Sequence, residues 1–327
     1  MSTLTTPITL PGRVTAWGKR MPKSLWPFLA FIALFLVGGL IRPSLLSPES
    51  LIGTAAFAMI LAIASFGQTV AIIQGGIDLS VANVIAFSAL TFLTLAVTYG
   101  PLVAGVGAVF SGALIGFING WVITRLNLTP IVTTIAMNGL LFGLMLLWFR
   151  SSELSQVPDA LKTLTTGQVS LLGVKISGVL IIGVVLMIVL QLALSFSGFG
   201  RMLVVTGASY GTAYYAGLNV RLTRVSGWMA SGALAALAGI IIVGFYGQAS
   251  PTMGATYLLA SVAAVVVGGA SIFGGSGSFV GTFAGALVLG QVATLVNVAN
   301  LGSNLQQLFY GIIVLGVVAL YGRRGKG

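Results

Sequence analysis

The chain has 327 residues, of which 57% are hydrophobic and only 6% charged, against about 25% charged in an ordinary soluble domain. That shortfall excludes a soluble globular enzyme, a disordered chain and a coiled coil. With no Cys and no His, thiol nucleophiles, disulfides, Cys/His zinc clusters and imidazole general bases are excluded too, and neither a metal site nor a cofactor is expected.

Ten stretches approach the ~20 apolar residues that a helix needs to cross ~30 Å of hydrocarbon: 25–41, 51–74, 79–98, 101–124, 130–149, 176–196, 225–247, 256–273, 279–300 and 304–321. None alternates apolar with polar residues as the strands of a membrane barrel do. The expected fold is therefore all-α, a polytopic integral membrane protein with about ten transmembrane helices. Its organisation reads as a cytoplasmic tail 1–24, one transmembrane domain 25–321 and a cytoplasmic tail 322–327. The first span follows a basic segment but ends in Ile41-Arg42-Pro43. It lacks a small-residue cleavage pattern and reads as a retained anchor. Spans three and four are separated only by Tyr99 and Gly100, which implies a tight hairpin.

Ten spans put both termini on one side, and the Lys/Arg distribution says which. With cytoplasmic termini, Arg13, Lys19, Arg20, Lys23, Arg125, Arg201, Arg221, Arg224, Arg323, Arg324 and Lys326 fall inside. Arg42, Arg150, Lys162 and Lys175 fall outside, with Glu49, Glu153 and Asp159. The net charge of +11 is thus a topology signal of a chain in a lipid bilayer. It is no nucleic-acid footprint, since no basic stripe carries interleaved aromatics.

Two connections are long. Residues 150–175, outside, read equally well as an ordered cap with a short surface helix or as a solvated linker. Residues 197–224, inside, place Arg201, Arg221 and Arg224 around a small, aromatic-containing middle. Ser209 there is placed to cap a short helix running to Ala216, with Gly217 at its C-terminus. Tyr210, Tyr214 and Tyr215 would then lie on adjacent turns, either in the headgroup belt or docked on a partner; the loop's length favours docking.

Within the spans, Gly112, Gly116 and Gly120, and again Gly281 and Gly285, recur every four residues, a spacing that lets helix backbones approach closely. The run Gly75-Gly76-Ile77-Asp78-Leu79-Ser80 is different. Paired glycines permit a helix break, and Asp78 or Ser80 can cap the restart. Asp78 is read either as that cap or as a pathway residue, because an intramembrane carboxylate is expensive. A second glycine break at 268–277 resembles the first and hints at an internal repeat. Neutral polar residues are sparse: Gln68, Gln74, Asn83, Asn119, Asn138, Gln191, Gln291 and Asn297. Together they suit a pathway for an uncharged, hydroxylated solute better than one for an ion. From this set and the first break, the pathway or helix-break candidates are Gln68, Gly75, Gly76, Asp78, Ser80, Asn83, Asn119 and Asn138.

No Gly-x-x-x-x-Gly-Lys-Ser/Thr run is present, so the chain does not bind ATP in that manner. The spans also lack the several acids, His or Lys of an ion-coupled carrier. Either transport is passive, or energy arrives from another subunit through the 197–224 segment.

The motif series resembles the transmembrane permease subunits of ribose-type bacterial ABC sugar importers. The residues that carry the resemblance are Gly75–Val81 with Ala82 in place of a Gly, 116–120, Arg125, 130–134, 207–218, and the block 263–277 followed by Gly281-Thr282 and 285–287. It runs from about the second span to the C-terminus. It implies a permease subunit of an ATP-driven importer of a monosaccharide across the bacterial inner membrane. The implied partners are an ATPase subunit with two nucleotide-binding domains, a periplasmic sugar-binding protein and a second permease, identical or different. Gly207, Ser209, Tyr210, Thr212, Ala213, Tyr214, Tyr215, Gly217 and Leu218 would couple ATPase motion to the spans. Ser209 stands where the family has Asn, Tyr214 where it has Ala, and Thr256-Tyr257-Leu258-Leu259 lacks the family's acid. The alternatives are a stand-alone sugar facilitator or channel, and a permease for another small neutral solute.

Overall fold

The computed structural model describes residues 25–148, 157–171, 174–301 and 303–324. The basic tail 1–24, Arg150, Glu153 and Lys326 lie outside the described residues. The elements in order are α1 (Leu25–Ile41), a 3-10 turn (Pro43–Leu46), α2 (Pro48–Ile73), α3 (Val81–Arg125), α4 (Pro130–Trp148), α5 (Asp159–Thr166), β1 (Gln168–Leu171), β2 (Val174–Ser177), α6 (Gly178–Phe196), α7 (Gly198–Ala208), α8 (Tyr210–Tyr215), α9 (Val220–Tyr246), α10 (Tyr257–Val267), α11 (Phe279–Val298) and α12 (Ser303–Arg324). Among the described residues, α2, α3, α4, α6, α9 and α11 are long and apolar enough to cross a membrane. The chain is a predominantly helical polytopic membrane protein. The departure from all-α is the antiparallel pair β1–β2.

α2 is the central helix, buried without interruption from Ala58 to Ile73. A helix that is apolar all round belongs in a core. α4 and α6 bury few residues and present apolar side chains outward. α3 is two arms in one element. Gly100 has φ 78, Pro101 follows, and Gly107 packs against Leu95. The Asn119 Nδ2–Ser80 Oγ hydrogen bond of 3.0 Å closes the far end. The hairpin expected at Tyr99-Gly100 is therefore present.

The glycine spacing gives the close packing that it predicts. A Cβ at Gly112 would stand 2.5 Å from the Gly232 carbonyl oxygen, and one at Gly116 would overlap the Trp228 carbonyl of α9. A Cβ at Gly285 would likewise overlap the Ala264 carbonyl of α10. Between helices in lipid, such approach replaces the hydrophobic drive with van der Waals contact.

Three expected boundaries shift. The stretch 256–273 is helical only over Tyr257–Val267, because the chain leaves the helix at Gly268-Gly269. The span expected from 176 starts at Gly178, because Val174–Ser177 pairs as a strand. The connection expected over 150–175 carries a short helix, α5, as one of its two readings anticipated.

Candidate functional site

At one end of the bundle two interrupted helices meet. α2 ends in a Schellman cap: Gly76 N donates to Ala71 O (2.9 Å), Gly75 N donates to Ile72 O (2.9 Å), and Gly75 takes φ 81. α10 ends in the same way, with Ala270 N donating to Val265 O (3.2 Å), Gly269 N to Val266 O (3.0 Å), and Gly269 at φ 91. This cap needs a left-handed residue just past the helix, which glycine supplies without steric cost. The similarity of the two breaks, read from sequence as a hint of repetition, thus extends to their backbone hydrogen bonds.

The first break is organised by Asp78, which is 2% exposed. Its Oδ1 accepts from Ser80 N (2.9 Å) and from Ser80 Oγ, and its Oδ2 accepts from Ser231 Oγ of α9 (3.3 Å). Ser231 Oγ lies 2.9 Å from Gly67 O as well, so it joins α9, α2 and the break. The Gln68 amide, in the orientation that satisfies both of its groups, donates to Asp78 O (2.9 Å) and accepts from Asp78 N (3.2 Å). Ser80 Oγ accepts from Asn119 Nδ2. Thr134 of α4 accepts from Leu79 N (3.0 Å). A buried carboxylate without a cation is tolerable when hydroxyl and amide donors occupy its oxygens. Asp78 is held in that way.

Of the residues singled out from sequence, Gln68, Asp78, Ser80 and Asn119 form this one network, with Gly75 and Gly76 at its edge. Gln68, Asp78, Ser80 and Asn119 are buried inside the protein. Asn83 and Asn138 make a neighbouring link, Asn83 Nδ2 donating to Asn138 O at 2.7 Å. Sequence reading did not assign Ser231, Thr134 or Trp228 to the site. Trp228 packs on Gly76 and Gly120. The signal for Ser231 was the small-residue run at 230–239, whose residues line close helix contacts. Several polar atoms at this end are buried and have no partner among the described residues: both amide atoms of Gln74, Asn119 Oδ1 and Trp228 Nε1.

The second break packs against the first. Gly275 N donates to Ile73 O at 2.8 Å. Gly274, at φ 89, lies so near that a Cβ would stand 2.9 Å from Gly75 N and 2.5 Å from Gly207 O. Gly207 closes the junction from α7, since a Cβ there would overlap the Ile73 carbonyl oxygen. One residue after α7, the chain turns outward into α8.

α8 forms as its local sequence expects. Ser209 caps it, its Oγ accepting from Thr212 N at 3.2 Å. Thr212 Oγ1 adds a 3.0 Å contact to the same oxygen. The helix ends in a Schellman cap, with Leu218 N donating to Ala213 O (3.1 Å), Gly217 N to Tyr214 O (3.0 Å), and Gly217 at φ 76. Ala213 is fully buried and anchors it. Tyr210 and Tyr214 stack at 6.5 Å, Tyr215 meets Tyr214 edge-on at 5.7 Å, and all three are exposed, Tyr215 at 88%. Gly207, near the end of α7, touches both breaks, and α8 follows α7 after Ser209.

The family model for the branched-chain amino acid transport system / permease component matches residues 50–318. The ribose import permease protein RbsC of Bacillus subtilis (strain 168) is 31% identical, covering 91% of this chain and 92% of its own length. The autoinducer 2 import system permease protein LsrC of Klebsiella pneumoniae is 32% identical, covering 92% of this chain and 87% of its own length. The LsrC protein of Escherichia coli (strain K12 / DH10B) is 30% identical with the same coverages, 92% and 87%. No solved structure matches. With more than half of its length matched by that model, the chain belongs to the branched-chain amino acid transport system / permease component family.

Proposed function

We propose that the chain is the permease subunit of an ATP-driven ABC importer that carries a monosaccharide or similarly hydroxylated neutral solute by alternating access across the bacterial inner membrane. The relatives named for ribose and autoinducer 2 import support this class of cargo. The observation that carries the mechanism is Gly207. It ties the exposed tyrosine helix α8 to both glycine breaks, so a push on α8 reaches the places where the helices are interrupted. The unpartnered Gln74 amide, Asn119 Oδ1 and Trp228 Nε1 support a junction with a second arrangement. Buried polar groups left unpaired cost about 1–3 kcal/mol each, and another state that pairs them recovers that cost.

Ten spans with both termini cytoplasmic is the topology proposed. In support, Arg125, Arg201, Arg221 and Arg224 belong to the junction end, while Arg42, Lys162 and Lys175 belong to the opposite end. Positive residues mark the cytoplasmic side. An ATPase subunit with two nucleotide-binding domains would dock on Ser209, Tyr210, Thr212, Tyr214, Tyr215 and Leu218. A periplasmic sugar-binding protein would dock at the opposite end, and a second permease, identical or different, would complete the pore. Asp78, Gln68, Ser80 and Asn119 act as the clamp that restarts α3 beside the pathway. The test is reconstitution in liposomes with the ATPase and the binding protein. ATP-dependent uptake of D-ribose or a related sugar is expected. Sugar flux through the chain alone, without any ATPase, would show a facilitator instead.

A further inference from the structure

At the end opposite the junction, the first turns of α2 and the strand pair enclose a cavity of about 450 Å³. That lies within the ~300–1,000 Å³ of small-molecule sites. Its walls carry both signs of charge, Glu49 from the first turn of α2 and Lys175 from β2. Strand geometry explains the rest of the lining. Residues two apart share a face of a strand, so Ser177 stands beside Lys175, and the register pairs Ser177 with Gln168 of β1. Lys175, Ser177 and Gln168 are thereby turned toward Glu49, and Val174 at the start of β2 with Ile52, Gly53 and Ala56 of α2 completes the lining.

Among the described residues no ion pair joins Glu49 to Lys175; the pair that forms is Lys162 with Asp159. Ser177 Oγ is buried and has no hydrogen-bond partner among the described residues. A carboxylate, an ammonium and an amide around one space supply both acceptors and donors. An occupant with one net charge would meet a like charge on one wall, and a zwitterion would have to match the Glu49–Lys175 separation with both of its charges. A compact molecule with many hydroxyls, each both donor and acceptor, matches all of these groups, and its C–H faces match Ile52.

We propose that this cavity is an external receiving site for a neutral, polyhydroxylated solute of monosaccharide size, occupied before translocation. The assignment rests on the importer reading, which puts this end outside. Gly53 provides the test, because a Cβ there would meet nothing within 4 Å, and the chain has no Cys. Gly53→Cys therefore places a single thiol in the cavity of the assembled transporter. In the permease–ATPase complex without the binding protein, which would itself cover this end, its alkylation by N-ethylmaleimide should slow about threefold when D-ribose, D-xylose or D-galactose is present at about twice its Kd. Gly53→Leu, which pushes a side chain into the cavity, should lower ATP-driven sugar uptake by about tenfold, equivalent to ~1.4 kcal/mol of binding. If the wild-type complex moves no sugar with ATP, the importer reading itself falls. If the wild type transports but Gly53→Leu transports equally and no sugar protects the thiol, only the receiving site falls. Protection by L-leucine and by none of the sugars overturns the solute class. Should Gly53→Leu fail to assemble, the thiol protection decides alone.

Discussion

The two glycine breaks begin alike and end differently. Each follows a buried helix and opens with the same Schellman cap, at Gly75 and at Gly269. Beyond the cap, the first break restarts its helix through a carboxylate, since Asp78 accepts the Ser80 N–H and both the Ser80 and Ser231 hydroxyls. The second restarts through a hydroxyl, Ser278 Oγ accepting from Gly281 N at 2.9 Å. It fits by close backbone approach, through Gly274 and Gly275, against the first break and against α7. One break is thus organised by side-chain bonds around a buried carboxylate, and the other mainly by close backbone approach, with the Gly275 N–Ile73 O and Phe279 N–Gln191 Oε1 bonds added. The same local solution to ending a helix opens two different arrangements: a polar network around Asp78, and a glycine-lined surface on which the first break and α7 pack.

The largest effect is expected where the two breaks share a partner. Gly207→Val would drive a side chain into the Ile73 carbonyl and the Gln74 Cα. Packed backbone cannot move aside cheaply, so a loss of about 3 kcal/mol or more is expected. It would be read as the disappearance of monodisperse protein on size exclusion in detergent. An undisturbed elution profile would mean that the junction is looser than described.

The clamp comes next. Asp78→Ala leaves the Ser80 N–H and hydroxyl without their acceptor, while Ser231 keeps Gly67 O, and should cost about 2–3 kcal/mol in thermal unfolding. Asp78→Asn keeps an acceptor oxygen and should cost about 1 kcal/mol, while transport still falls if the clamp controls the break. At the second break the equivalent loss, Ser278→Ala, removes one cap and should cost about 1 kcal/mol. Equal losses for Asp78→Ala and Ser278→Ala would erase the distinction between the two breaks.

Alanine at the left-handed glycines reverses the order. Both Gly75 (φ 81) and Gly274 (φ 89) would suffer about 1–2 kcal/mol of backbone strain. Only Gly274→Ala adds crowding against Gly207 O and Gly75 N, since the nearest atom to a Cβ at Gly75 is 3.6 Å away. Gly274→Ala should therefore lower the unfolding temperature further than Gly75→Ala. The smallest effects on stability belong to α8. Gly211→Ala meets nothing within 4 Å and should stabilise by up to ~1 kcal/mol through helix propensity. Tyr214→Ala should leave the unfolding temperature nearly unchanged while weakening ATPase binding, measured by pull-down or by loss of solute-stimulated ATP hydrolysis. A large drop in melting temperature for Tyr214→Ala would make the tyrosines structural.

Hydrophobicity and local capping chemistry were legible in the sequence because both act over short stretches. The apolar runs located the long helices, Gly100 marked the α3 hairpin, and Ser209 with Gly217 bounded α8. Asp78 was visible as the acid at a helix break, but its two readings could not be separated from sequence. Nor could its partner Ser231 be read there, since it lies 153 residues away. No periodicity links residues at that separation; only the packing of α9 on α2 brings them together.

The sequence, with its long apolar runs and scarcity of charge, made this a helical membrane protein. The reason is that transfer to hydrocarbon and helix capping are decided within a turn or a span. Tertiary structure alone decided that the two glycine breaks and Gly207 occupy one junction, that the carboxylate lies inside it, and that Lys175, Ser177 and Gln168 of the strand pair turn toward Glu49. Those outcomes follow from close backbone approach between distant segments, which depends on the shapes of both partners at once.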